Sequence, residues 1–282
     1  MIRIATRAEL QQTVNFAVRL NSRPEHRCKA FHDSHDNIHA QFERMLDHPH
    51  DKILVQEEQG RITGVLAILV EPEDKYIEAI GGVFAERNYG PVATEFFNCL
   101  RENYPGHQMH AAYPEENEQA ICFMNSIGAE LEDYDYELRL KRAAFRGGAG
   151  HENTAQLTEQ YYAGFSEFHN HHNPDVFWTG EKLLDALDKF RIHIAIENKT
   201  IVGAVVTSKQ TEPEIFFLTL AEHHQVLRYG KPLLLHAAKS AYCDGAEEIL
   251  SMVDKKRSDL LITFEEVGFK RTDTCLSYKI YL

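Results

Sequence analysis

The chain has 282 residues, 43% of them hydrophobic and 26% charged, with a formal net charge of −13 and a pI near 5.6. That length accommodates two domains with separate cores, and 16 Phe with 12 Tyr exclude a disordered chain. The acidic balance argues against a nucleic-acid partner. The densest basic cluster, Arg139, Lys141, Arg142 and Arg146, is short and falls at a domain junction, where it reads as solubilising charge.

The N-terminus, MIRIATRAEL, turns polar at once and has no apolar leader core. Helices are expected around 16–20 and 38–46. A first hairpin follows from residue 52, KILVQEEQGRITGVLAILVEPE, in which two apolar runs flank a polar turn. Its most apolar stretch, 62–70, is too short to span a bilayer. A strand is expected over 76–84, a helix over 91–103 with Val92, Phe96, Phe97 and Leu100 on one side, a strand over 108–113, a helix over 116–127 and a closing strand over 134–140. The glycine-rich segment 145–153, FRGGAGHEN, reads as a linker, because glycines are costly inside a helix or strand. A phosphate cradle is the alternative there, without a Gly-Lys-Ser ending to support it.

The second half repeats the first. Helices are expected over 157–168 and 181–190. The hairpin from residue 191, RIHIAIENKTIVGAVVTSKQTEPE, places Gly203 where the first hairpin has Gly64. Tyr229-Gly230 then answers to Tyr89-Gly90, and Val267-Gly268 to Ile127-Gly128, at one shared offset that exceeds the hairpin offset by a single position. Four landmarks in order at nearly constant spacing indicate a duplication. Strands over 214–220, 248–253 and 276–281 and helices over 232–242 and 258–267 complete the copy. The expected architecture is α/β, in two domains, 1–144 and 145–282.

Five cysteines, Cys28, Cys99, Cys122, Cys243 and Cys275, are odd in number and form no CxxC pair, as in a reduced chain. A cytoplasmic protein without a membrane partner is expected. Two histidine clusters stand out: His169, His171 and His172 near Asp175, and His223 with His224. Carboxylate and imidazole together can hold a transition metal, but adjacent residues seldom aim at one centre, and no metal site is expected. Trp178, the only tryptophan, is suited either to an acceptor pocket or to a core anchor.

The layout resembles the GNAT acyltransferase superfamily, twice over. In that family a hairpin leads into a central strand, and a glycine-bearing loop and helix hold the pyrophosphate of acetyl-CoA. Arg87-Asn88-Tyr89-Gly90-Pro91-Val92 is similar to that loop in copy one, and Arg228-Tyr229-Gly230-Lys231 in copy two. Helix N-termini attract phosphate through free N–H groups and the helix dipole, although Pro91 and Pro232 each remove a donor. The resemblance implies that Asn117 contacts the pantetheine arm, and that Met124 and Phe264 stand where a proton-donating Tyr is usual; neither can donate. It implies acetyl transfer from acetyl-CoA to a primary amine of a small molecule or peptide. For that chemistry Glu78 is the candidate base and Tyr113 the candidate acid, with Gly81 and Gly82 allowing close approach to the central strand. Copy one is favoured for catalysis, since copy two has Glu214 at its strand start and Thr219 nearer the loop, without an obvious carboxylate between. A degenerate binding or assembly module is the alternative. The sequence leaves the oligomeric state open.

Overall fold

A computed structural model describes residues 2–29, 31, 34–148, 153–174, 176–221 and 226–282. The chain forms two compact units: Met1–Tyr134 with Thr274–Leu282, and Asp135–Asp273.

In the first unit the strands are β1 (Ile2–Ile4), β2 (Lys52–Glu58), β3 (Arg61–Glu71), β4 (Tyr76–Ala85) and β5 (Gln108–Tyr113). The sixth strand comes from the far end of the sequence, β12 (Lys270–Tyr281), in the order β1-β2-β3-β4-β5-β12. All neighbours are antiparallel except β4 and β5. Helices α1 (Leu10–Asn21), α2 (His35–Asp47), α3 (Tyr89–Asn103) and α4 (Glu118–Ser126) flank the sheet. Burial of β3 from Val65 to Ile68 on both faces matches its unbroken apolar run.

The second unit uses β7 (Thr154–Gln156), β8 (Phe190–Glu197), β9 (Thr200–Ser208), β10 (Glu214–Leu220), β11 (Glu248–Asp254) and β6 (Glu130–Lys141), in the order β7-β8-β9-β10-β11-β6. Among these neighbours only β10 and β11 run parallel. Alternation along the strands sorts side chains onto two cores. Ile194, Ala204 and Val206 face α5 (Tyr162–His172) and α6 (Gly180–Asp185). Ala195, Val205 and Ile215 face α7 (Lys231–Cys243) and α8 (Ser258–Val267).

The closing strands are thus exchanged between the copies. His110 pairs with Lys279, and Leu250 pairs with Arg139. Leu250 is the repeat equivalent of His110, and Lys279 that of Arg139, so the exchange keeps the register of the repeat. A cut at 144/145 does not follow the compact units, because the strand read as closing copy one, 134–140, closes the second unit. The repeated glycines end helices: Gly128 and Gly268 adopt φ of 72° and 112°, and the N–H groups of Ala129 and Phe269 reach back to Met124 and Phe264 carbonyls. Residues 149–152 of the expected linker lie outside the described residues, while a Cβ on Gly148 would meet Leu235, so this glycine packs rather than cradles. Arg139 of the basic cluster is paired with Glu137 and Glu248, and Arg142 with Glu247. No described helix is long and apolar enough to cross a membrane.

On the α7 side of the second unit, His193 is buried with its Nε2 3.2 Å from the Ser240 hydroxyl and its ring 5.6 Å from that of His236. Burial first, then His236 and Arg191, hold its pKa down to about 4 against an ordinary 6.5. The folded unit therefore keeps this imidazole neutral while the unfolded chain protonates it. Stability is full above pH 6.5 and falls as pH drops toward 4, by up to about 3 kcal/mol. Urea midpoints of the second unit are expected to fall between pH 7 and pH 5, and His193→Gln to flatten that dependence.

Candidate functional site

Both units contain one parallel strand pair, and in both the pair parts after a few residues. In the first unit β4 and β5 are paired only from Tyr76–Gln108 to Glu78–His110. Beyond that point β4 bulges between the partners of Val65 and Ala67, where Gly81 and Gly82 take φ of 89° and 146°. In the second unit β10 and β11 are paired only at Glu214–Leu250 and Ile215–Ser251, and β10 bulges between Ile215 and Phe217. Past the branch point the β10 backbone has no strand partner on the β11 side among the described residues. The cleft between the parting strands leads to the start of α3 in one unit and of α7 in the other.

The two clefts are filled differently. Tyr113 ends β5, is 1% exposed, and lies in the cleft against Gly82, where any Cβ would stand 2.6 Å from the tyrosine ring. Its hydroxyl bonds the Val83 backbone and adjoins Tyr89, and burial holds its pKa above the ordinary tyrosine range. Every residue of β4 from Ala79 onward is buried. The register equivalent of Tyr113 in the second copy is Val253, which stands opposite Tyr136 as Tyr113 stands opposite Leu276. Along β10, Phe216 is exposed and Phe217, Leu218 and Leu220 are only half-buried.

A carboxylate stands at the branch point of each cleft. Glu78 pairs with Leu69 and His110. Glu214 pairs with Leu250, and its N–H donates to the Ser208 hydroxyl at 2.9 Å. Ser208 and Leu250 are the repeat equivalents of Leu69 and His110, so Glu214 occupies the position of Glu78. Burial raises the pKa of both. Glu214 reaches about 7, through desolvation and then repulsion from Glu137, which puts its titration at physiological pH.

Solved structures of similar fold cover nearly the whole chain. One is a GCN5-related N-acetyltransferase from Sphaerobacter thermophilus, with a TM-score of 0.72 and 11% identity over 99% of this chain and 95% of that one. A tandem GNAT protein from the clavulanic acid biosynthesis pathway gives 0.61 and 12% over 99% and 98%. Each unit has the GNAT fold. A GNAT-family acetyltransferase from Colwellia psychrerythraea gives 0.56 and 11% over 99% of both chains. No protein-family model and no curated protein matches the sequence.

The GNAT frame locates the remaining residues. Arg87 and Asn88 are exposed in the loop before α3, and Asn88 takes the left-handed φ of 53° that turns the chain into the helix. Gly90 is half-buried with open space beside its Cα. Val92 and Tyr89 are buried, Val92 against Gly64, so these two side chains serve the core. In the second loop Arg228 pairs with Glu197 at 2.5 Å and covers the Tyr229 ring, while Lys231 pairs with Glu266 at 3.3 Å. Tyr229 and Gly230 are buried. Both cations are surface-exposed at the start of α7.

Two residues read as chemical from the sequence are structural here. Tyr113 does not reach solvent and cannot exchange a proton there as an exposed acid would. Asn117 is fully buried; its amide donates to the Arg27 carbonyl at 2.8 Å and its oxygen accepts from the Ala120 N–H at 3.2 Å, capping α4. No part of its side chain reaches the surface. Met124 and Phe264 are buried in their cores.

The histidines pack. His169 is buried, with Nε2 2.9 Å from the Trp178 carbonyl and its ring edge-on to Phe217, and His172 leans on Phe168. Asp175, His223 and His224 lie outside the described residues. Among the described residues no group of three His, Cys, Asp or Glu side chains is arranged to hold a metal ion. Glu214 is the residue that sequence reasoning passed over. The signal was present in the hairpin offset, which carries Leu69 onto Ser208 as it carries Gly64 onto Gly203.

Proposed function

We propose that the chain is an acetyl-CoA-dependent N-acyltransferase in which the second unit is active and the first is a catalytically silent scaffold. The observation that supports this reading is the contrast between the two branch points: Tyr113 fills the gap beside β4, whereas the smaller Val253 holds the equivalent position beside β10, next to a carboxylate whose pKa burial raises to about 7. Acetyl-CoA supplies the activated acyl group. The β10 backbone past Ile215 offers the groups that could receive the thioester carbonyl and stabilise charge developing on its oxygen. Arg228 and Lys231, at the start of α7, suit the pyrophosphate, although Pro232 withholds one N–H. Glu214, ionised above about pH 7, takes the proton from an ammonium acceptor so that the free amine can attack. The thiolate departs without a tyrosine acid, since the position usual for one is Phe264. Orientation at the branch point then supplies much of the rate.

Calorimetry with acetyl-CoA tests the reading. One binding event per chain is expected. Val253→Tyr, which introduces the side chain that fills the other cleft, should abolish it, and Tyr113→Val should not weaken it. Absence of heat and of thermal stabilisation at millimolar acetyl-CoA would overturn the proposal.

A further inference from the structure

The α5/α6 face of the second unit carries a run of aromatic rings that begins in the core and reaches the surface. Phe177 stands edge-on to Trp178 at 5.3 Å between centroids, Trp178 to Phe190 at 4.8 Å, and Phe190 to Phe216 at 5.6 Å. Phe190 is buried, but Phe177 is 65% exposed and Phe216 37%. They are two of the six large apolar side chains exposed among the described residues. Phe216 is exposed because the β10 bulge falls between Ile215 and Phe217.

The rings converge on Glu214. Phe190 pairs with Ser208, and Ser208 accepts from the Glu214 N–H, so Phe190, Ser208 and Glu214 form one row across the sheet. Phe216, two residues along β10, reaches the Phe190 ring. The wall therefore ends at the carboxylate that stands where the strands part. Aromatic faces are electron-rich, and one of them already holds a cation: the Lys182 ammonium lies 3.8 Å from the centroid of Phe177. Glu137, itself paired with Arg139, is near enough to Glu214 to add to the rise of its pKa. A face with exposed aromatic rings beside a carboxylate complements a ligand with an apolar body and an ammonium head. A sugar amine or a polyamine would bury less apolar area against the rings than an arylalkyl amine does.

We infer that the acceptor is a primary amine carried on an aromatic or short apolar body, its ammonium on Glu214 and its body against Phe216 and Trp178, which the buried Phe190 supports. This rests on the second unit being the acyltransferase, but its binding step can be read without acyl transfer. Trp178 is the only tryptophan, so intrinsic fluorescence reports from the wall itself. Titration with 2-phenylethylamine, without acetyl-CoA, is expected to change Trp178 emission saturably. Glucosamine and putrescine should bind at least about tenfold more weakly, and Phe216→Ala should weaken 2-phenylethylamine about tenfold without lowering the melting temperature. Glu214→Gln should erase the preference for 2-phenylethylamine over 2-phenylethanol.

Equal or tighter binding of glucosamine, putrescine or a lysine peptide would overturn the inference. So would an unchanged affinity in Phe216→Ala, or no response to 2-phenylethylamine. If acetyl-CoA fails to bind while the aromatic amine still moves Trp178 emission, the acyltransferase reading falls and the amine site stands. If acetyl-CoA binds and only polar amines are acetylated, the reverse holds.

Discussion

Glu214→Gln is expected to lower kcat/KM for amine acetylation by about 10²- to 10⁴-fold, the range of a lost general base. Acetyl-CoA affinity should stay within about twofold, because Glu214 lies at the branch point and not at the start of α7. In the unaltered chain kcat/KM should rise through about pH 7 as the carboxylate ionises, and that limb should vanish in the glutamine variant. Stability should move the other way. The Glu214 pKa stands at about 7 against an ordinary 4.5, so its contribution is full below pH 4.5 and lost as pH rises through 7. Removing the ionised carboxylate relieves a cost of up to about 3 kcal/mol, and the melting temperature at pH 8 is expected to hold or rise. A fall in activity accompanied by a fall in melting temperature would instead mark Glu214 as structural. Glu78→Gln, at the equivalent position beside the filled cleft, should leave turnover unchanged.

Removing Thr274–Leu282 is expected to unfold the first unit while the second keeps its fold. This segment pairs with β5 from Leu276–Tyr113 to Tyr281–Gln108 and buries Leu276, Tyr278 and Ile280 in the first core. Three such side chains are worth about 5–9 kcal/mol, which is comparable to the whole stability of a domain, about 5–15 kcal/mol. The Lys279–Glu132 ion pair goes with them. Hydrogen exchange should accelerate across β2 to β5, while Trp178 emission stays native. Tyr278→Ala, a milder change, should cost about 3–5 kcal/mol in the first unit. Unchanged exchange in β2 to β5 after the truncation would show that the β12 pairing is dispensable.

The hairpins, the alternation of helices and strands and the presence of two α/β domains were legible, because local periodicity and helix-ending glycines carry them. The exchange of closing strands was not. Arg139 and Lys279 are repeat equivalents on strands of the same pattern, and either satisfies the register of either sheet; nothing local tells β5 which of two matching partners it has. The equivalence of Glu78 and Glu214 was hidden for a different reason. Nine positions separate Leu69 from Glu78 but six separate Ser208 from Glu214, and the longer connection before Gly230 restores the offset. Insertions in turns cost little, so they displace the numbering without displacing the site. Gly81 and Gly82 announced a close approach to β4, and core side chains make it: Phe31 and Phe84 at Gly81, Tyr113 at Gly82.

The distance along the chain between β5 and its neighbour sets an order of events during synthesis. Roughly 150 residues must be added after Tyr113 before β12 exists, which at ordinary elongation rates of about 5–20 residues per second takes on the order of ten seconds. For that interval β5 is an open edge, and β6, the strand of matching pattern made next, is available to cover it. The nascent first unit can therefore close provisionally on β6, a pairing that must later be surrendered when β11 and β12 emerge. Refolding of the full chain should accordingly show a slow phase that disappears in a circular permutant in which β12 precedes β1.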